Sequence, residues 1–376
     1  MRIAINSTFL NHQMRSGLLV YTENLLKGIA KFDARNKYVL LFTSWRRKSK
    51  DMPGPEAGNF HKFVLPVPDR EFMFRNILLN KIILPAFLGK NSFDIYHAPA
   101  GYSLPRIKSV KKVLTIHDLR SLKIKDKTFP QDILALKRAA NHADVCITVS
   151  ECTKKDIIEN LGLAPEKIKV IYEGAEDIFM PMEKSAAESI KEKYRIDREY
   201  LFSLGQVPRK NIERLIRAFS KFKYKSEFIL VIGGAGNNGP WNEEYRNLAE
   251  RLNLKNCVRF IGDIPYEDLP LLYNASEYFV FPSLYEGFGI PVLEAMSCGI
   301  PVITSNVSSL PEIAGDAALY VNPYDEVDIA RKMEKAVEDK DLRKALVSRG
   351  TKRAKEFSWD KMARETLEVY EEVLKC

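Results

Sequence analysis

No apolar run in the 376-residue sequence reaches the roughly 18 residues of a membrane-spanning helix; the nearest, residues 77–88, is broken by Asn80, Lys81 and Pro85. The first ten residues, MRIAINSTFL, lack the long apolar core of a signal peptide and read as a first buried strand. Cysteine is scarce. Cys146, Cys152, Cys257, Cys298 and Cys376 form no C-x-x-C pair, and their odd number leaves one unpaired, which excludes a disulfide framework and points to a reducing, cytoplasmic compartment. The five histidines (His12, His61, His97, His117, His142) contain no short metal-ligand pair, so no metal is expected. The glycine cluster at 233–236, GGAG, is not G-x-G-x-x-G and is followed by a polar loop, so it carries no dinucleotide fingerprint, and no cofactor is expected. Internal repeats and low-complexity tracts are also missing.

What is present is ordinary for a soluble chain of two domains: 45% hydrophobic and 28% charged residues. The formal charge of +9 favours acidic partners such as nucleotide phosphates or an anionic bilayer surface. Nucleic acid is not an expected partner, because no basic-aromatic module accompanies that charge. Strand-like and helix-like runs alternate along the first half. A strand at 2–6 and a helix at 18–31 flank Ser16-Gly17, where a Rossmann-like unit brings a phosphate to a helix N-terminus; a plain turn glycine fits as well. A strand at 38–43 precedes a loop at 45–58. Residues 70–90 read as an amphipathic helix with a basic edge, suited either to an anionic membrane or to a core with a solvated basic side. Strands at 93–97, 112–116 and 145–149 end in polar residues. In parallel sheets the binding crevice lies at the carboxyl ends of strands, so His117, Asp118 and Ser150 stand where a ligand would be held. His117 reads equally as a structural histidine.

Residues 177–193, with Pro181 and a charged, alanine-containing stretch, read as the linker. The alternation then restarts. A strand at 200–204 ends at Gly205, the loop carries Arg209 and Lys210, and Asn211 is the expected N-cap of a helix at 212–222. Two adjacent cations at a strand-to-helix loop suit a diphosphate. Strands at 228–232 and 258–261 follow, the second ending in Gly262-Asp263. The apolar run 278–281 leads into EGFGIPVLE, residues 286–294, and a helix with Pro291 near its start. Backbone amides of that loop and first helical turn favour an anion, and Gly287 and Gly289 let the backbone come close. A carboxylate facing the same spot repels a phosphate, so Glu286 and Glu294 fit better as acceptors for hydroxyl groups beside it. A ligand with central phosphates and polyhydroxyl ends, a sugar nucleotide, satisfies both demands. The two acids also read as a helix-terminal charge and a solvated surface acid. A strand at 301–304, a loop at 308–312, a strand at 318–321 and helices at 327–338, 342–356 and 359–374 complete the chain, the last with Met362, Leu367, Tyr370 and Leu374 on its apolar face.

The stretch FVFPSLYEGFGIPVLEAMSCGIPVITSNVSSLPEIAGDAALYVNP resembles the signature of family 4 retaining glycosyltransferases, including their E-x7-E motif. The resemblance extends to LGQVPRKNIERLIRAF, TIHDLRSL, HADVCITVSECTKKDI, the loop around Gly17 and the terminal FSW helix, in the family's order. It implies an α/β fold of the GT-B type: two facing Rossmann-like domains with the active site in the interdomain cleft. Residues 1–178, with 358–376 packing back, would form the acceptor side, and 179–357 the nucleotide-sugar domain. It implies that Glu286 holds hydroxyls of the transferred sugar, Glu294 the ribose hydroxyls, and Arg209 and Lys210 the diphosphate. His117 would touch the transferred sugar, and Gly17 would approach the phosphates. Phe288, Gly289, Ile290, Val292 and Leu293 would contact sugar and phosphate, with Gly205 beside them, and Gly262 to Ile264 would lie near the base. The adjacent Arg-Lys pair resembles the mannosyl- and rhamnosyltransferase-like branch; SGLLVY departs from the T-G-I-G-like loop of relatives. The implied chemistry is metal-independent front-face transfer without a protein nucleophile. GDP-mannose is the expected donor, and the acceptor a glycan or lipid-linked glycan of a surface polysaccharide, reached at the inner membrane face. A glycan phosphorylase or nucleotide-sugar hydrolase of the same fold is the alternative.

Overall fold

The computed structural model describes residues 1–11, 16–44, 48–67, 78–101, 104–124, 133–234 and 240–375. Residues 45–47 of the first loop, 70–77 of the amphipathic stretch, 235–239 of the polar loop, His12 and Cys376 lie outside them. The chain divides into two compact units: Met1–Leu119, Gln131–Glu173 and Ser358–Cys376 form one, Arg120–Pro130 and Gly174–Phe357 the other.

The first unit is built on a parallel sheet of β1 (Arg2–Asn6), β2 (Lys37–Thr43), β3 (Phe60–Leu65), β4 (Ile95–Ala98), β5 (Lys111–Ile116), β6 (Val145–Thr148) and β7 (Ile168–Val170), in the order β3-β2-β1-β4-β5-β6-β7. Both faces of such a sheet are covered, so its strands are apolar without alternation: Ile3, Ala4 and Ile5 are all fully buried. Edge strand β3 is absent from the expectations above. His61 and Lys62 interrupt its apolar residues, and it is the register against β2, Tyr38 with Phe60 through Thr43 with Leu65, that makes it a strand. From Leu78 on, the amphipathic stretch is a short π-helical turn, Leu79–Ile83, continuing as the helix Leu84–Lys90. Leu79, Leu84 and Leu88 face the core, and Ile82 faces solvent.

The helix Gly17–Phe32 packs on the final helix, Trp359–Lys375. The contact is tight at Gly28, where an added Cβ would lie 2.4 Å from that of Ala363. The final helix buries Trp359, Met362, Ala363, Thr366, Val369, Tyr370 and Val373, so of the expected face Met362 and Tyr370 are buried and Leu374 is corrected to exposed. We expect Gly28→Val to destabilise the full chain by about 3 kcal/mol, the upper range for overpacking. A denaturant midpoint unchanged from the parent would contradict this packing.

The second unit carries β8 (Glu199–Leu204), β9 (Phe228–Gly233), β10 (Val258–Gly262), β11 (Tyr278–Phe281), β12 (Val302–Ser305) and β13 (Ala318–Val321), all parallel, in the order β10-β9-β8-β11-β12-β13. Within the expected linker, Lys184–Lys193 is a helix of this unit, contacting the helix Leu269–Asn274. Leu310–Ala314, expected as loop, is a short helix started by Pro311 in its first turn. No helix among the described residues is long and apolar enough to cross a membrane.

Candidate functional site

In the second unit the strand order reverses between β8 and β11, the position where doubly wound sheets bind ligands beyond their carboxyl ends. The loops leaving these two strands carry Arg209-Lys210 and Glu286–Gly289. They are stitched together: the Leu284 amide donates to the Arg209 carbonyl at 2.8 Å, and the Ser283 hydroxyl donates to the same oxygen at 2.9 Å. Asn211 stands at the N-cap as expected, but its side chain makes no capping hydrogen bond to the helix. Its amide group instead donates to the carbonyls of Pro282 (3.0 Å) and Pro323 (2.6 Å), and its φ of 62° turns the chain sharply into the helix Ile212–Lys221. The asparagine therefore ties the β8 loop to those after β11 and β13.

Glu286 is the centre of this knot. Its Oε2 accepts from the Arg209 guanidinium at 2.6 Å, and its Oε1 accepts from Lys210 Nζ at 2.8 Å and from the Ser283 hydroxyl at 2.6 Å. Burial acts to raise its pKa, but Arg209, then Lys210 and Ser283, outweigh that and hold it at about 2. Lys210 is buried too. Desolvation, then the neighbouring Arg209 charge, pull its ammonium down to about 8 against the opposing pull of Glu286. Its Nζ sits 4.3 Å from the centroid of the Phe281 ring, a cation–π contact. Gly205 is required twice over: its φ is +92°, and a Cβ there would stand 3.0 Å from Lys210 Cγ.

Gly289, φ +116°, starts the helix Ile290–Ser297, with Pro291 in the first turn. Ser308 and Ser309 brace the preceding loop. The Ser308 hydroxyl donates to the Glu286 carbonyl at 2.7 Å, and the Ser309 hydroxyl to the Phe288 carbonyl at 2.7 Å. The Val292 and Leu293 amides both bond the Gly289 carbonyl, so of the five backbone positions expected to meet a ligand these two are engaged within the helix. Glu294 lies one turn further along the helix, buried, accepting from the Tyr273 hydroxyl at 3.0 Å. At the end of β10, the Gly262 carbonyl accepts from the Gly234 amide, and Ile264 packs where a side chain on Gly233 would be.

The remaining site residues belong to the first unit. Gly17 is exposed at the first position of its helix, behind the N-cap Ser16. Ser150 caps the helix Glu151–Leu161; its hydroxyl accepts from the Thr153 amide at 3.1 Å and is fully buried. His117 follows β5, with Asp118 beside it in sequence. Its Nε2 lies 2.8 Å from the Pro99 carbonyl and its Nδ1 3.3 Å from Glu173 Oε1, while Tyr21 meets the ring edge-on. Sequence reasoning missed His97 and Glu173. His97 is fully buried between the Tyr370 hydroxyl (2.6 Å) and the Thr115 hydroxyl (2.9 Å). Burial, then neighbouring His117, push it down to about 3, so it is neutral. His97 closes a strand read above as ending in polar residues, and only its burial and its partners single it out.

Residues 15–177 match the model of Glycosyltransferase Family 4, and residues 186–353 that of Glycosyl transferases group 1. The chain is 32% identical over 283 residues to O-antigen chain mannosyltransferase B of Escherichia coli, covering 73% of this chain and 74% of that one. It is 34% identical over 276 residues to the serotype-specific mannosyltransferase WbdA of Escherichia coli, covering 70% of this chain but only 34% of WbdA. Among solved structures, sucrose-phosphate synthase from Thermosynechococcus elongatus superposes with a TM-score of 0.80 at 21% identity, covering 100% of this chain and 99% of that one. Anabaena HepE in complex with UDP and glucose superposes with a TM-score of 0.77 at 18% identity, covering 99% and 100%. At these identities the likeness shows the fold, GT-B, alone.

Proposed function

The chain belongs to the family 4 glycosyltransferases, and from that premise we propose that it is a retaining, metal-independent mannosyltransferase acting in the cytoplasm. It would move mannose from GDP-mannose to a glycan or lipid-linked glycan of a surface polysaccharide. The carrying observation is the cluster of Arg209, Lys210 and Glu286 at the strand-order reversal, beside the helix that starts at Gly289. A departing nucleoside diphosphate develops negative charge, and two cations held in a desolvated loop stabilise it without reorganising. They supply the positive charge that a bound divalent ion would otherwise bring. Glu286, with both oxygens engaged and its carboxyl held near 2, is a weak nucleophile and a weak base. Its place is electrostatic, which agrees with front-face transfer in which the leaving phosphate takes the acceptor proton. Mannose is supported by what the two Escherichia coli relatives are named for.

A thermal-shift screen of GDP-, UDP-, ADP- and dTDP-sugars tests the donor. GDP-mannose at a hundredfold over its Kd should stabilise the chain by ~2.7 kcal/mol. Stabilisation by a sugar of another base, with none by GDP-mannose, would replace the donor assigned here.

A further inference from the structure

Tyr273 stands on the helix Leu269–Asn274, and its side chain is fully buried. Phe202, Phe279 and Phe179 meet its ring edge to face, with centroids 5.3, 5.1 and 5.9 Å away and interplanar angles of 79°, 72° and 74°. Phe202 belongs to β8 and Phe279 to β11, the two strands at the strand-order reversal, so the ring is fixed to the frame that carries the site. With the ring held, the hydroxyl has one place. It lies 3.0 Å from Glu294 Oε2, to which it donates. Burial, then Glu294, hold the phenol well above its ordinary pKa, so it keeps the proton that it donates. Glu294 is itself only 7% exposed, and its charge is felt at Lys210, which puts it beside the cation cluster. A glutamate has several side-chain torsions to freeze when it meets a ligand, and freezing them weakens binding. A hydrogen bond from a rigid partner removes that cost before the ligand arrives.

The geometry points to Tyr273 as the positioning residue for Glu294: it holds the carboxylate in the conformation that meets the donor's ribose hydroxyls, and so strengthens the preference for a hydroxylated nucleotide. The inference rests on the donor-site reading above and on Glu294 holding the ribose. It is tested by calorimetry on the full chain. The probes are the nucleoside diphosphate of the base that most stabilises the chain in the screen above and its dideoxy form, which lacks the ribose hydroxyls. The native chain should prefer the hydroxylated nucleotide by about tenfold to a hundredfold, the range for a hydrogen bond to a charged group. E294A should lose most of that preference. Y273F removes one oxygen and keeps the ring. It should bind the hydroxylated nucleotide on the order of threefold to tenfold more weakly, the effect of leaving one long side chain to be ordered on binding. It should bind the dideoxy form within about twofold of native. Adding Y273F to E294A should narrow the preference no further, because the two changes act on one contact. A merely structural role would weaken both nucleotides alike; that result overturns the proposal, as does a Y273F chain with the native preference. If Y273F does not fold, F179L, which loosens the packing of the ring and keeps the hydroxyl, should narrow the preference, and an unchanged preference there overturns the proposal equally. The native preference in E294A, or no binding of either nucleotide, instead overturns the reading of Glu294 as the ribose ligand, and the positioning role with it.

Discussion

Glu286→Ala is expected to reduce transfer by about a thousandfold, the upper range for removing one preorganised electrostatic group from an active site. The side chain is bonded by Arg209, Lys210 and Ser283 at once, so its loss unsets all three. Removing one member of a buried ion pair strands the other charge and costs about 3–5 kcal/mol. Here the lower end, about 3 kcal/mol, is expected, because Arg209 keeps some solvent and Lys210 can shed its proton. Lys210 loses the pull that keeps it charged, so its pKa falls below about 8 and donor affinity drops with it. Calorimetry with the nucleoside diphosphate, denaturant melts and single-turnover transfer separate these effects. A Glu286→Ala chain that transfers at the native rate would end the assignment of this cluster as the donor site. The carboxylate also links the unit to acid: its stabilising contribution is complete above about 4.5 and is lost as the pH falls toward about 2.

The second large effect is on the alkaline side. Lys210, lowered to about 8, is charged below that value and neutral above it. Only the charged form attracts a diphosphate, so kcat/KM should fall through pH 8 by about tenfold per unit, reaching a loss of about a hundredfold two units higher. Lys210→Arg replaces the ammonium with a guanidinium that stays charged throughout this range, and the limb should flatten even if the plateau is lower. A native profile that stays level across that range would show that Lys210 does not carry the donor's charge.

The alternation of strands and helices, the loop glycines and the EGFGIPVLE stretch were legible because each is a local signal. Parallel strands buried on both faces must be apolar throughout, and a strand-to-helix loop beside phosphate needs glycine and cations. The same locality explains the misses. β3 is a strand only by its register on β2, and the helix Leu310–Ala314 is too short to show a period. Sequence by itself therefore determined the α/β class, the family and the cations, acids and glycines of the loops after β8 and β11. Only the tertiary structure decided which of those residues face each other. The β8 loop lies 76 residues from Glu286, with β9 and β10 between. It meets Glu286 because the strand order places β8 against β11. Charge pairing acts through space, and the partner of a buried carboxylate is set by sheet topology, which no local pattern encodes.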